Sequence, residues 1–121
     1  MKILVMGSGA VGGYFGAVLS RNGHDVTFIA RGTQLDAIRK SGMRIESANS
    51  GNFIVKPPTT DRPDVNWDGD LVLYCVKGYD NITAIKMLEP AVGPNTSILT
   101  LQNGIGSGDV LAAAFGQQNI L

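Results

Sequence analysis

Apolar and polar positions fall in blocks along this chain, and each block has the length of a strand or a helix. Residues 3–6 form a four-residue apolar run that Gly7 ends. Apolar side chains then recur at Val11, Tyr14, Phe15, Val18 and Leu19, the i, i+3, i+4, i+7, i+8 spacing of a helix with one buried face. Asn22-Gly23-His24 is a turn signal, with Gly23 suited to the left-handed position that closes a helix, and residues 25–30 read as a second strand. Thr33 with Asp36 resembles a capping box, followed by a short helix that turns Leu35 and Ile38 inward, carries Arg39 and Lys40 in its last turn and stops at Gly42.

Two short strands, 43–47 and 52–56, flank a turn at 48–51 and predict a hairpin, placing an antiparallel strand from residues 43–56 beside the parallel set. Residues 57–70 read as a polar loop. The unbroken apolar run 71–76 is the pattern of a parallel strand covered on both faces. Asp80 caps a helix bearing Ile82, Ile85 and Leu88 that stops before Pro90. A buried strand at 97–101, a helix at 107–115 ending on Gly116, and the start of a further strand at 119–121 complete the chain. The expected architecture is α/β: a doubly wound, Rossmann-type, mostly parallel sheet of five or six strands with the first one central.

The candidate chemistry gathers where strands end. Gly7, Gly9 and Gly12 stand as G-x-G-x-x-G between the first strand and the first helix. The motif alone is weak, but strand, glycine turn, helix and strand within about 30 residues is the context that a dinucleotide-binding unit requires. Gly7 supplies a sharp turn, Gly9 leaves space for a ligand, and Gly12 lets helix and strand approach. The helix N-terminus, with its unpaired N–H groups and partial positive charge, faces a pyrophosphate, so Gly7, Ser8, Gly9, Ala10, Val11 and Gly12 form the predicted cradle. An NAD site usually places an acid about 20 residues further on, against the ribose 2′-hydroxyl. Here that place holds Arg31, a planar cation suited to a 2′-phosphate, and the reading is NADP(H). Lys77 at the end of the third parallel strand could reach an anionic cofactor, and Asn103 at the end of the fourth could hydrogen-bond a ribose or a substrate carbonyl.

Other residues invite blander readings. His24, the single histidine, precedes the second strand and so lies at the edge opposite to ligands in parallel sheets. Cys75 packs in an apolar strand with no histidine near in sequence to activate it. Asp64-x-Asn66-x-Asp68-Gly69 copies half of a calcium loop, but Cys75 occupies the position of the bidentate Glu, so no metal site is expected. Trp67 packs its loop onto the domain.

Composition removes whole classes of function. Ten basic and ten acidic residues balance, which disfavours a nucleic-acid surface or an anionic-membrane anchor and leaves a small molecule as the expected partner. Residues 3–20 carry no charge, yet five of them are glycine and Gly7 interrupts the run, so neither a membrane helix nor a signal peptide is expected. A single cysteine excludes an intrachain disulfide, and the cytoplasm is the expected compartment. At 121 residues the chain has the size of one domain, read as a piece of a longer enzyme.

Four motifs together resemble the ketopantoate reductase family: residues 7–13, Ala30-Arg31-Gly32, Cys75-Val76-Lys77-Gly78-Tyr79, and Leu101-Gln102-Asn103-Gly104-Ile105-Gly106. The resemblance covers the whole chain. It implies an NADPH-dependent reduction of ketopantoate to pantoate, on the route to pantothenate and coenzyme A. Residues 7–12 would hold the pyrophosphate, Arg31 the 2′-phosphate, Lys77 the cofactor, and Asn103 both cofactor and substrate. It also implies a helical carboxyl-terminal domain that supplies the catalytic lysine and most substrate contacts, so no catalytic residue is assigned within 1–121. Oligomeric state stays open, a homo-oligomer included. Rival readings are another 2-oxo-acid reductase, a relative of the 6-phosphogluconate or opine dehydrogenases, and a nucleotide-sensing regulatory domain without catalysis.

Overall fold

The computed structural model describes residues 1–7, 10–49, 51–63, 67, 69–75, 81–100 and 107–121, with backbone alone at 10, 11, 81 and 107–110. The first apolar run is β1, Lys2–Met6, in which Ile3, Leu4, Val5 and Met6 are all at most 3% exposed. Burial on both faces is possible because β1 lies in the middle of a sheet with helices on either side. It is followed by α1, Ala10–Arg21, β2, Asp25–Ile29, and α2, Gly32–Ser41. The hairpin strands β3, Met43–Ser47, and β4, Gly51–Val55, come next, then the two-residue β5, Thr59–Thr60. The second half holds β6, Leu71–Tyr74, α3, Asn81–Leu88, β7, Ser97–Thr100, and α4, Ser107–Phe115.

Five strands form a parallel sheet in the order β5-β2-β1-β6-β7, the expected doubly wound arrangement with β1 central. Alternate side chains of each strand feed two cores. On one face Leu4, Met6, Ile29, Val72, Tyr74 and Ile98 pack with Ala84, Ile85 and Leu88 of α3 and Leu111 of α4. On the other, Ile3, Val5, Val26, Phe28 and Leu73 pack with Leu35 and Ile38 of α2 and with Met43 of β3. Each fully buried aliphatic side chain contributes roughly 1.5–3 kcal/mol, so two such layers suffice to hold a sheet this small.

Several expectations are corrected. The hairpin forms with the expected antiparallel pairing, Met43 opposite Val55 and Ser47 opposite Gly51, but it is a separate two-stranded sheet and does not join the parallel one. Residues 57–70 are not loop throughout: β5 pairs with the end of β2, the Phe28 N–H donating to the Pro58 carbonyl at 2.9 Å and the Arg39 Nε to the Thr59 carbonyl at 3.0 Å. Of the three apolar residues noted on α3, Ile82 is 68% exposed, because the helix turns Ala84, Ile85 and Leu88 to the core.

The largest correction concerns α1. Its buried side is Gly12, Gly13, Gly16 and Ala17, while Phe15 is 46% exposed and Tyr14, Val18 and Leu19 are half-buried. Phe28 and Val5 rise from the sheet directly beneath the helix. A Cβ on Gly16 would stand 2.8 Å from Cε1 of Phe28 and 3.0 Å from Cγ2 of Val5, so only the small residues can face the sheet. The larger apolar side chains are displaced to the helix flank, where Tyr14 and Phe15 meet edge to face at 5.5 Å.

The capping box is not used either: Arg31 is the N-cap of α2, with extended backbone and no side-chain cap, and Thr33 already lies inside the helix. The predicted stop holds. Gly42 has φ 78°, and its N–H donates to the Ile38 carbonyl at 2.8 Å. The chain's last residues run beside β7, Ile120 bridging in parallel to Ile98, as a nascent strand there requires.

Candidate functional site

Register fixes where the site lies. Met6 pairs with Ile29 on one side and with Tyr74 on the other, and Tyr74 pairs with Thr100, so four strands finish level along one edge. Every predicted site residue follows one of those ends in sequence. In open α/β sheets ligands bind outside this carboxyl edge, near the point where successive crossovers run in opposite directions, which here is the end of β1.

The first residue after β1 has the anticipated backbone. Gly7 has φ 95°, a conformation that a side chain would strain, and it redirects the chain from β1 into α1. Gly12 lies against that turn: a Cβ there would collide with the Gly7 carbonyl oxygen and stand 2.9 Å from Cβ of Cys75. The N–H of Cys75 donates to the Met6 carbonyl at 2.9 Å, closing the seam between β1 and β6 just below the turn. Three neighbouring backbone segments are thus held together by the absence of a side chain at position 12, and α1 presents its first turn to the sheet edge. The residues present fit a dinucleotide pyrophosphate: Gly7 at positive φ precedes a helix with no acid in its first turn.

Beside the turn, a cleft of about 310 Å³ is lined by Met6, Gly7, Ile29, Ala30, Arg31, Thr33, Gln34 and Met87. Pockets for small ligands span roughly 300–1,000 Å³, so this one suits one end of a dinucleotide rather than the whole. Its floor is apolar, with Met6 and Ile29 only 3% and 2% exposed, and its rim is polar. Among the described residues that line it Arg31 is the one ionic side chain.

Arg31 and Gly7 are therefore brought to one cleft. Gly12 stands behind the turn and shapes it without lining the cleft. Ala10 and Val11 open α1 as expected, known here by backbone alone. Ser8, Gly9, Lys77 and Asn103 lie outside the described residues, as do Asp80 and three members of the calcium-like run, Asp64, Asn66 and Asp68. Sequence reasoning missed Thr33, Gln34 and Met87. The first two were hidden by their reading as a helix cap and its neighbour, and Met87 carries no local signal because only the tertiary fold brings α3 over the end of β2.

The remaining candidates keep their structural roles. His24 lies at the opposite edge, its Nδ1 3.5 Å from the amino terminus. Cys75 is half-buried against the second core, and desolvation pushes its thiol up to about 11, which disfavours the thiolate at neutral pH. Trp67 packs onto the first core, with the Lys2 ammonium 5.9 Å from its ring. Among the described residues no group of His, Cys, Asp or Glu could hold a metal ion, and no helix is long and apolar enough to cross a membrane.

Comparison with known proteins bears directly on this site. The family model described as ketopantoate reductase PanE/ApbA matches residues 3–121. A 2-dehydropantoate 2-reductase of Archaeoglobus fulgidus is 38% identical over 112 residues, 92% of this chain and 35% of that protein. The crystal structure of 2-dehydropantoate 2-reductase from Geobacter metallireducens superposes with a TM-score of 0.89 at 37% identity, covering 99% of this chain and 40% of that one. D-mandelate dehydrogenase in a ternary structure with NADH also reaches a TM-score of 0.89, at 24% identity, which shows a shared fold and no more. The chain thus spans well under half the length of the relatives it matches.

Proposed function

The chain belongs to the ketopantoate reductase family, and from that premise we propose that it is the NADPH-binding part of an enzyme that reduces ketopantoate to pantoate. The observation that carries the reading is the cleft at the ends of β1 and β2, where the Gly7 turn and Arg31 meet over an apolar floor. Residues 7–12 hold the pyrophosphate through backbone N–H groups, and Arg31 takes the 2′-phosphate, for which its planar fork of donors is suited. Lys77 adds a cation toward the cofactor, and Asn103 orients cofactor and substrate together. A nicotinamide held there would supply the hydride for reduction of the substrate ketone. The protein's own contribution from this segment is to bind, orient and keep one face of the sheet edge dry.

No general acid is assigned to residues 1–121. By resemblance to the family that group is a lysine of a helical domain, which together with this segment would form the substrate cleft in the cytoplasm. Binding and turnover should then separate. Residues 1–121 bind NADPH in a calorimetric titration but give no ketopantoate-dependent loss of its absorbance. Removing a single preorganised donor costs on the order of 10²–10³ in rate, and losing substrate positioning costs more. Absence of NADPH binding would refute the cofactor assignment; sustained turnover proportional to protein concentration would place the proton donor inside this segment and refute the division of labour.

A further inference from the structure

The cleft beside the Gly7 turn has two chemically distinct ends. Its floor is made by Met6 and Ile29, which pair directly across β1 and β2 and send their side chains to the same core. Its polar rim is Arg31, Thr33 and Gln34, where β2 passes into α2. One further residue closes it: Met87, in the last turn of α3, an element otherwise occupied with the first core. Ala84, Ile85 and Leu88 of that helix are buried, whereas Met87 packs only partly against the core and turns its remaining surface to the cleft. An apolar slot with a cation at its mouth fits a flat heteroaromatic base joined to a phosphorylated ribose. The polarizable thioether of methionine adapts to an aromatic face and gains favourable sulfur contacts there.

We propose that Met87 is the wall against which the adenine ring of the cofactor packs, opposite the Met6 and Ile29 floor, and that it thereby positions the 2′-phosphate for Arg31. The inference rests on the reading of this cleft as the cofactor site and adds to it a residue from a different element. It makes α3 part of the binding site, so that base recognition reports on the docking of α3 as well as on the end of β2.

The test uses protein labelled uniformly with ¹⁵N and with ¹³C at the methionine methyl groups, of which there are four: Met1, Met6, Met43 and Met87. Met43 belongs to the opposite core and serves as an internal reference. Titration with adenosine 2′,5′-bisphosphate should move the Met87 methyl resonance by the ring current of the base, leave Met43 in place, and move the Arg31 amide. Ribose 5-phosphate, which lacks the base, should leave Met87 still. Met87→Ala should weaken the bisphosphate about two- to tenfold through lost apolar packing on the base, and Met87→Leu, which keeps that packing, should restore affinity to within about twofold. Saturable binding that moves Arg31 while the Met87 methyl stays fixed would overturn the inference and leave the cofactor reading intact. No saturable response at Arg31 or at any methionine would overturn both.

Discussion

Arg31 occupies the place where an acid would otherwise accept the ribose hydroxyls, and the consequence for cofactor choice can be estimated. Hydrogen bonds to charged groups contribute about 1.5–3 kcal/mol net, and each 1.4 kcal/mol is a factor of ten. Arg31→Ala should therefore lower NADPH affinity about ten- to a hundredfold while leaving NADH nearly unchanged, as calorimetry of both cofactors would show. Equal losses would remove Arg31 from the 2′-phosphate. At this scale the sequence was informative where a residue type is nearly obligatory. Gly7, with φ 95°, and Gly12, wedged against the Gly7 carbonyl and Cys75, are positions that no other residue fills without strain. Thr33, Gln34 and Met87 were illegible because nothing in their local pattern distinguishes a residue facing a cleft from one facing solvent.

At the scale of elements, α1 shows where periodicity misleads. Its apolar residues obey helical spacing, yet the close approach demanded by Phe28 and Val5 gives the sheet side to Gly12, Gly13, Gly16 and Ala17. The pattern records hydrophobicity, whereas the packing is decided by volume. Two substitutions separate these effects. Gly16→Ala should destabilise the fold by about 1–3 kcal/mol through overpacking, even though alanine is about 1 kcal/mol the better helix former. Phe15→Ala should cost no more than about 1 kcal/mol, against the roughly 3–5 kcal/mol typical of a buried phenylalanine. Denaturant melts that reversed this order would return Phe15 to the core. The strand β5 escaped notice for a related reason: two threonines amid prolines and charges carry no period, and only the free edge of β2 makes a strand of them.

For the molecule as a whole, topology was the most legible property, since strands separated by helices leave few alternatives to a parallel, doubly wound sheet. The hairpin was recognised from its turn, but its detachment from the main sheet was not, because pairing of β3 with β4 follows from local sequence while joining a sheet edge depends on where that edge lies. The central place of β1 also governs the order of assembly. Its two flanks are filled by partners at very different distances along the chain: β2 follows almost at once, and β6 only after Leu71. Closing the second pairing spans a loop about three times as long, an added entropic cost of about 1 kcal/mol. Pulse-labelled hydrogen exchange during refolding should accordingly protect the amides joining β1 to β2 before those joining β1 to β6, and the reverse order would contradict it. On a ribosome the asymmetry is sharper. Until residues 71–74 emerge, Ile3, Leu4 and Val5 form an apolar strand with one side unpaired, the kind of edge that recruits other chains. The strand at the heart of the finished sheet is thus, until β6 is made, an open edge of the nascent chain that a chaperone would have to shield.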